Sequence, residues 1–443
     1  MLGSMAWLGL ERTIRLIIGL LVGSLVARHL GPEEFGNLQV ALTWTALAAV
    51  FSNFGLDTIL QREFAVSSTS RTSRIFNTSL GLRLMGAMLG FCIVLLSAFL
   101  HESGPSRAVL AVAAFTVFQP VGAIMELWLQ SRGLNRISTC TQISVLAVGS
   151  GLRILMVYAG AGVFAFGAIC AIESMVFVTV YFFISVKFGF RFSTGYISKA
   201  ELKSLLSDGI PLLVSILAAA FYQKLDLLVV SRYCSPQQTG LYGVAFRLCE
   251  VAYVLPIVLA TVTVPRLARA YAAGPELFRR GYEACLAVSV GVGVVLTGVV
   301  VLFAPLIVQC LFGMGYAEAV SLFQIRGVAL FFLCLEIGRS MRLIQEGKTY
   351  FVMIAHILGA IVMLITCPVF VKIFGVAGGG YSFVLTMSVP GWFAALLYRE
   401  TRCDAMRIAI LSVRPDLWLK SAKFLSQGHL DRMYAKNSGG TNI

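Results

Sequence analysis

Residues 28–36 read Arg28-His-Leu-Gly-Pro-Glu-Glu-Phe-Gly36, and residues 232–240 read Arg232-Tyr-Cys-Ser-Pro-Gln-Gln-Thr-Gly240. A shift of 204 residues carries Gly36 onto Gly240, Arg28 onto Arg232, Pro32 onto Pro236, Val40 onto Val244, Ala41 onto Ala245 and Arg62 onto Arg266. After the shift lengthens to 213, Gly162-Val163 falls on Gly375-Val376 and Gly167 on Gly380. Each copy of the motif is a polar Pro-to-Gly turn between two long apolar runs, which identifies a chain built from two related halves. Gly31, Pro32, Gly36, Pro236 and Gly240 are therefore read as structural turn residues.

The composition decides the solvent. Of 443 residues 58% are hydrophobic and 13% charged, a balance that a water-soluble surface of this size does not tolerate. Hydrocarbon offers no partner to a bare peptide group, so a spanning chain is helical or a closed barrel. The apolar runs last about 20 residues without alternation, as transmembrane helices require, whereas barrel strands alternate over about 10.

Twelve spans are expected: Leu8–Ala27, Phe35–Phe54, Ile75–Leu100, Ala108–Leu129, Ile137–Tyr158, Phe164–Val186, Leu205–Val230, Leu241–Thr261, a ninth ending near Phe303, Val320–Met341, Phe351–Val371 and Val376–Tyr398. The fold expected is an all-α integral membrane protein of two pseudo-symmetric six-helix bundles, 1–186 and 204–398. A basic linker (187–203) joins them and a basic tail (399–443) follows. The first apolar run lacks a convincing cleavage site and reads as an uncleaved span.

Lys and Arg in the loops set the orientation, because translocating positive charge is disfavoured. With twelve spans, only Arg28, Arg107, Arg232 and Lys372 fall on the sparsely charged side, and all other loop and tail cations fall on the opposite one. Both termini are then cytoplasmic, and the net charge of +14 reflects this asymmetry, with no aromatic-basic module for nucleic acid. In the tail, Trp418, Leu419 and Phe424 lie among Lys420 and Lys423. That pattern fits an interfacial or partner-binding helix, but an ordinary positive-inside tail is the simpler reading.

Seven cations sit inside apolar runs: Arg12, Arg15, Arg83, Arg153, Lys224, Arg247 and Arg326. A charge at mid-membrane costs at least about 2.5 kcal/mol unless it faces water, a partner or the interface. Together they mark a polar path and are the candidate substrate-binding residues. Arg12 and Arg15 are also placed to snorkel, with Glu11 positioned to pair with Arg15, and Arg247 is placed to pair with Glu250. Asp226, Glu126, Glu173 and Glu250 are candidates for carrying a coupling ion, and with Glu336 they also supply a purely structural pairing for the cations. Arg at depth suits an anionic, phosphate-bearing substrate.

The ten cysteines show no metal-ligand or disulfide spacing and read as small hydrophobes. No nucleotide-binding Gly-rich loop followed by Lys-Ser/Thr is present, so no cofactor is expected and a gradient or the membrane potential is the expected energy source. Gly378-Gly379-Gly380 reads as close helix packing. His29, His101, His356 and His429 are dispersed, and spacing builds no catalytic constellation.

The first turn motif, with Gly55-Leu56 and Arg62, resembles the first hairpin of bacterial polysaccharide flippases of the Wzx type, within the multidrug/oligosaccharidyl-lipid/polysaccharide exporter superfamily. In the second half the resemblance rests on Pro211, Asp226, Gly240-Leu-Tyr242, Gly313-Met-Gly-Tyr316 with Ala319, and Gln345-Glu-Gly347-Lys348. It covers about residues 10–398; the second half departs at Ser235 in place of Gly31 and Gln237-Gln238 in place of Glu33-Glu34. It implies two bundles around a V-shaped cavity, moving an undecaprenyl-pyrophosphate-linked oligosaccharide to the periplasmic leaflet of the inner membrane by alternating access. The partners it implies are the lipid-linked oligosaccharide, membrane lipids, a polysaccharide polymerase and a chain-length regulator. Two other functions fit the scaffold: a cation-coupled exporter of amphipathic drugs, which an acidic cavity would favour, and a non-transporting scaffold of a glycan-synthesis complex, which needs no deep ionic residues. A lipid II flippase usually carries helices beyond twelve.

Overall fold

The first turn motif bends the chain without ending the helix. Helix α1 runs Leu2–Asn53 and is kinked at Gly31, whose φ of 72° suits a residue without a Cβ, and Pro32 opens the second arm. The computed structural model describes residues 2–66, 69–100, 105–190, 199–397, 402, 407–408, 410–411 and 414–426. Residues 191–198 of the linker and the tail beyond 426 lie outside the described residues.

All regular elements among the described residues are helical. After α1 come α2 (Asp57–Val66), α3 (Thr69–Leu100), α4 (Pro105–Ala113), a 3₁₀ turn (Ala114–Phe118), α5 (Gln119–Ser131), α6 (Asn135–Tyr158) and α7 (Val163–Lys187). The second half supplies α8 (Lys199–Tyr233), α9 (Pro236–Ala252), α10 (Val254–Ala273), α11 (Pro275–Phe312), α12 (Ala319–Gly327), α13 (Ala329–Gln345), α14 (Thr349–Phe374), α15 (Val376–Ser388), a π-helical turn (Val389–Phe393), α16 (Ala394–Leu397) and a tail helix, Pro415–Ser426. Among the described residues, ten helical stretches are long and apolar enough to cross a membrane. The first of them, Ile14–Asn53, holds two spans across the Gly31 kink, and α15, the π turn and α16 make a last apolar stretch too interrupted to be counted as one helix. The twelve expected spans are thereby accounted for.

The chain forms two compact units, one of Met1–Gly243 with Cys310–Tyr316, the other of Val244–Gln309 with Ala317–Ile443. Within the first unit α3 buries Leu82, Ala87, Val94 and Ala98 while leaving Met85, Leu89, Leu96, Phe99 and Leu100 exposed. That apolar outer face is the one a lipid environment solvates. Gly86 and Gly90, a small-x-x-x-small pair on α3, let the α1 backbone in: a Cβ on Gly90 would stand 2.7 Å from the Ala48 carbonyl oxygen, and one on Gly86 would strike that of Phe51. Arg83 joins three elements of this unit. Its fully enclosed guanidinium meets Asp57 of α2 at 2.5 Å and donates to the Pro120 carbonyl of α5 at 2.6 Å.

The two copies of the motif meet inside the first unit. A Cβ on Gly36 would lie 2.5 Å from the Pro236 carbonyl oxygen and 2.8 Å from the Gly240 nitrogen, and one on Gly240 would strike the Pro32 carbonyl. The contact is reciprocal and runs backbone to backbone, as the duplication implies. Where the second copy lacks Gly31 it ends one helix and caps the next: Ser235 Oγ accepts from the Gln238 N–H at 3.2 Å, and Gln238 Oε1 accepts from the Ser235 N–H at 3.3 Å. The Gly313-Met-Gly-Tyr316 link docks at the same place. The Tyr316 hydroxyl donates to the Ala27 carbonyl at 2.7 Å, and Arg28 donates to the carbonyls of Leu311, at 2.8 Å, and Cys310.

Substituting Gly36 or Gly240 by Ala drives a methyl group into backbone, and each change is expected to cost about 1–3 kcal/mol. Gly23→Ala, on an open helix face, should leave thermal unfolding of the detergent-purified protein unchanged or slightly raised. Equal melting temperatures for all three variants would refute the close contact. Asp57→Ala removes the counter-charge of an enclosed guanidinium and should destabilise by about 2 kcal/mol, less than a fully buried pair because Asp57 is 47% exposed. Replacing Arg83 and Asp57 together by Leu should recover part of that loss in the same assay.

Candidate functional site

Proline starts the construction of the polar site in the first unit. Pro120 has no N–H to continue the ladder, so the chain before it tightens into the 3₁₀ turn Ala114–Phe118 and the Thr116 carbonyl accepts instead from Gln119 N–H and, at 3.4 Å, from the Ser174 hydroxyl. This irregular turn, α1, α6 and α7 enclose a cavity of about 380 Å³. Arg15, Thr45, Thr116, Gln119, Gln142, Arg153, Cys170, Glu173 and Ser174 supply its polar wall, and Leu42, Val145, Leu146 and Phe177 much of its apolar one.

Arg153 of α6 forms an ion pair with Glu173 of α7 and lies 3.6 Å from Cys170 Sγ. Gly149 makes room for it, because a Cβ there would stand 2.7 Å from the Glu173 carboxyl carbon. Both partners keep about a fifth of their side-chain surface open. Arg15 is exposed on the same cavity. An open, forked guanidinium beside an ion pair that is only partly covered can take phosphate oxygens and exchange its carboxylate for them.

Arg83, Lys224, Arg247 and Arg326 are not among the described residues that line this cavity. Arg83 presents no surface to a ligand in this conformation. Arg326 in the second unit is 1% exposed and lies between aromatic rings, 3.6 Å from the Phe383 centroid and 4.6 Å from that of Phe246. Arg247 meets Glu250 one turn on at 3.4 Å, and Lys224 is half-buried on α8. Arg12 lies on α1, with its side chain outside the described residues. Among the carboxylates, Glu126 accepts from Gln130 at 2.8 Å and from Gln142, and Asp226 is fully buried and accepts from the Tyr242 hydroxyl at 2.5 Å.

Three polar contacts escaped the sequence. Asp57, the partner of Arg83, stands in the first turn of a short helix that reads as a polar loop. Arg339, near the end of the expected span Val320–Met341 and not singled out among its deep cations, is 3% exposed and donates to the Pro390 carbonyl, in the π turn whose irregular winding leaves that oxygen accessible. Glu336, three residues earlier, meets His356 of α14 at 2.8 Å, which brings one of the dispersed histidines against a carboxylate in the second unit. No group of three or more potential metal ligands occurs among the described residues.

The profile of the polysaccharide biosynthesis protein family matches residues 1–271, and the MatE profile matches residues 211–369. No curated protein matches the chain. Among solved structures, the inward-facing conformation of a multidrug resistance MATE family transporter of the MOP superfamily is similar with a TM-score of 0.71 at 16% identity, covering 93% of this chain and 99% of that one. The lipid II flippase MurJ in its inward closed conformation reaches 0.67 at 14% identity, covering 97% of each chain. An outward-facing MATE family transporter reaches 0.61 at 18% identity, covering 91% of this chain and 95% of that one. The chain is thus a multi-pass membrane protein with the fold of the MOP-superfamily transporters and flippases, and it belongs to the polysaccharide biosynthesis protein family.

Proposed function

We propose that this protein is a Wzx-type flippase that carries a pyrophosphate-linked oligosaccharide on a polyprenyl lipid from the cytoplasmic to the periplasmic leaflet of the bacterial inner membrane, with both termini cytoplasmic. The observation that carries the reading is a cavity walled by Arg15 and Arg153 in a member of the polysaccharide biosynthesis family. The two homologous halves, 1–186 and 204–398 joined by the 187–203 linker, alternate access to the path. The lipid chain stays in the bilayer while the headgroup passes. No catalytic role is assigned, and a polymerase and a chain-length regulator are the partners expected downstream.

Arg153 and Arg15 receive the pyrophosphate in this reading. Glu173 holds Arg153 while the site is empty and yields it to the phosphate. Glu173 is the first choice for the coupling carboxylate. Asp226, Glu126 and Glu250 are the further candidates.

In proteoliposomes with a fluorescent polyprenyl-pyrophosphate oligosaccharide, Arg153→Ala should lower flipping at least tenfold while the protein remains inserted. Wild-type rates would remove Arg153 from the path. Glu173→Gln should keep transport and flatten its pH dependence, and a profile matching the wild type assigns coupling elsewhere. The rival reading, a MATE-type exporter of cationic drugs, rests on the MatE match across 211–369. If it is right, cells expressing the protein should extrude ethidium faster than empty-vector cells; the flippase reading expects no difference.

A further inference from the structure

The tail helix Pro415–Ser426 is docked on the second unit. Trp418 anchors it: the indole N–H donates to the Leu411 carbonyl at 2.7 Å, and the ring fills a notch that exists because residue 291 is glycine, where a Cβ would stand 2.9 Å from the indole. Arg407 adds an ion pair to Glu283 of α11 at 3.0 Å. Between α11 and the tail a cavity of about 540 Å³ stays open.

The chemistry of its wall changes along α11. Residues 275–283 read Pro-Glu-Leu-Phe-Arg-Arg-Gly-Tyr-Glu, and from Ala284 the helix is apolar for more than five turns. The cavity straddles that change. Leu286 and Leu417 line its apolar part, and Arg280, Arg407 and Lys420 stand around the polar one, where Glu283 pairs with Arg407 and Glu276, at the edge, pairs with Arg280 at 3.0 Å. Leu419 and Ile410 are exposed, as expected of a segment lying at a lipid boundary. This is also the basic face of the chain, where anionic lipid concentrates positive charge.

We propose that this cavity binds an anionic glycerophospholipid, its phosphodiester between Arg280, Arg407 and Lys420 and its chains along the apolar start of α11. A soluble anion satisfies only the cations, and a zwitterionic lipid brings its own cation to a site that is already net positive, three cations facing the carboxylates of Glu283 and Glu276. The site is separate from the Arg15–Arg153 cavity, so its occupant is independent of the cargo.

The test uses the full chain in detergent, with lipid binding followed by native mass spectrometry and by melting temperature. Phosphatidylglycerol should bind at least tenfold more tightly than phosphatidylcholine, and glycerol 3-phosphate, the headgroup without chains, should not compete at equal concentration. The combined Arg280→Gln, Arg407→Gln and Lys420→Gln variant should bind phosphatidylglycerol no better than phosphatidylcholine. Lys420→Glu alone, at an exposed position that leaves the fold intact, should lower phosphatidylglycerol affinity several-fold. Undiminished phosphatidylglycerol binding in Lys420→Glu, or displacement of the lipid by glycerol 3-phosphate, would overturn the proposal.

Discussion

Inside hydrocarbon every polar group needs a partner supplied by the protein, and this constraint orders the molecule from backbone to site. It makes the chain helical, since helices satisfy their own peptide groups. It then governs the irregular turns, where the 3₁₀ stretch before Pro120 and the π turn at Val389–Phe393 release carbonyls that side chains take up. Arg339 takes the oxygen of Pro390, while Arg83 takes that of Pro120 in the first turn of the regular helix α5. Ser174 takes that of Thr116. A break in helical winding and a buried donor occur together because each answers the other's need.

The same constraint separates the charges by role. Arg83 and Arg326 are enclosed, one by a carboxylate and a carbonyl, the other by two aromatic faces, and such surroundings hold a cation without offering it to a ligand. Arg153 and Arg15 border an open polar space, and Glu173 meets Arg153 there with part of its surface uncovered. Exposure, more than depth along a helix, distinguishes a cation that holds the fold from one that can receive a phosphate.

The duplication has a structural use as well as a history. Each copy of the Pro-to-Gly turn presents backbone where the other has no Cβ, so Gly36 and Gly240 are required by the same contact seen from its two sides. The departures in the second copy are a different solution to the same bend: Ser235 and Gln238 cap a helix start where Gly31 supplies a positive φ in the first. The Tyr316 link, far off in sequence, hydrogen-bonds to Ala27 just before the first turn.

Length and apolarity of the runs determined that the chain is helical and membrane-spanning, and the recurrence of Pro32 and Gly36 as Pro236 and Gly240 determined that it is built twice. Both are local or periodic properties, so one dimension carries them. Which charge meets which was decided in three dimensions. Arg83 pairs with Asp57, 26 residues away on a helix that reads as loop, and Glu336 pairs with His356 across two helices. Sequence spacing reports neighbours on one helix, as for Arg247 and Glu250, but a pair between helices depends on their rotation and axial offset, and these follow from the packing of many small contacts that no single residue announces.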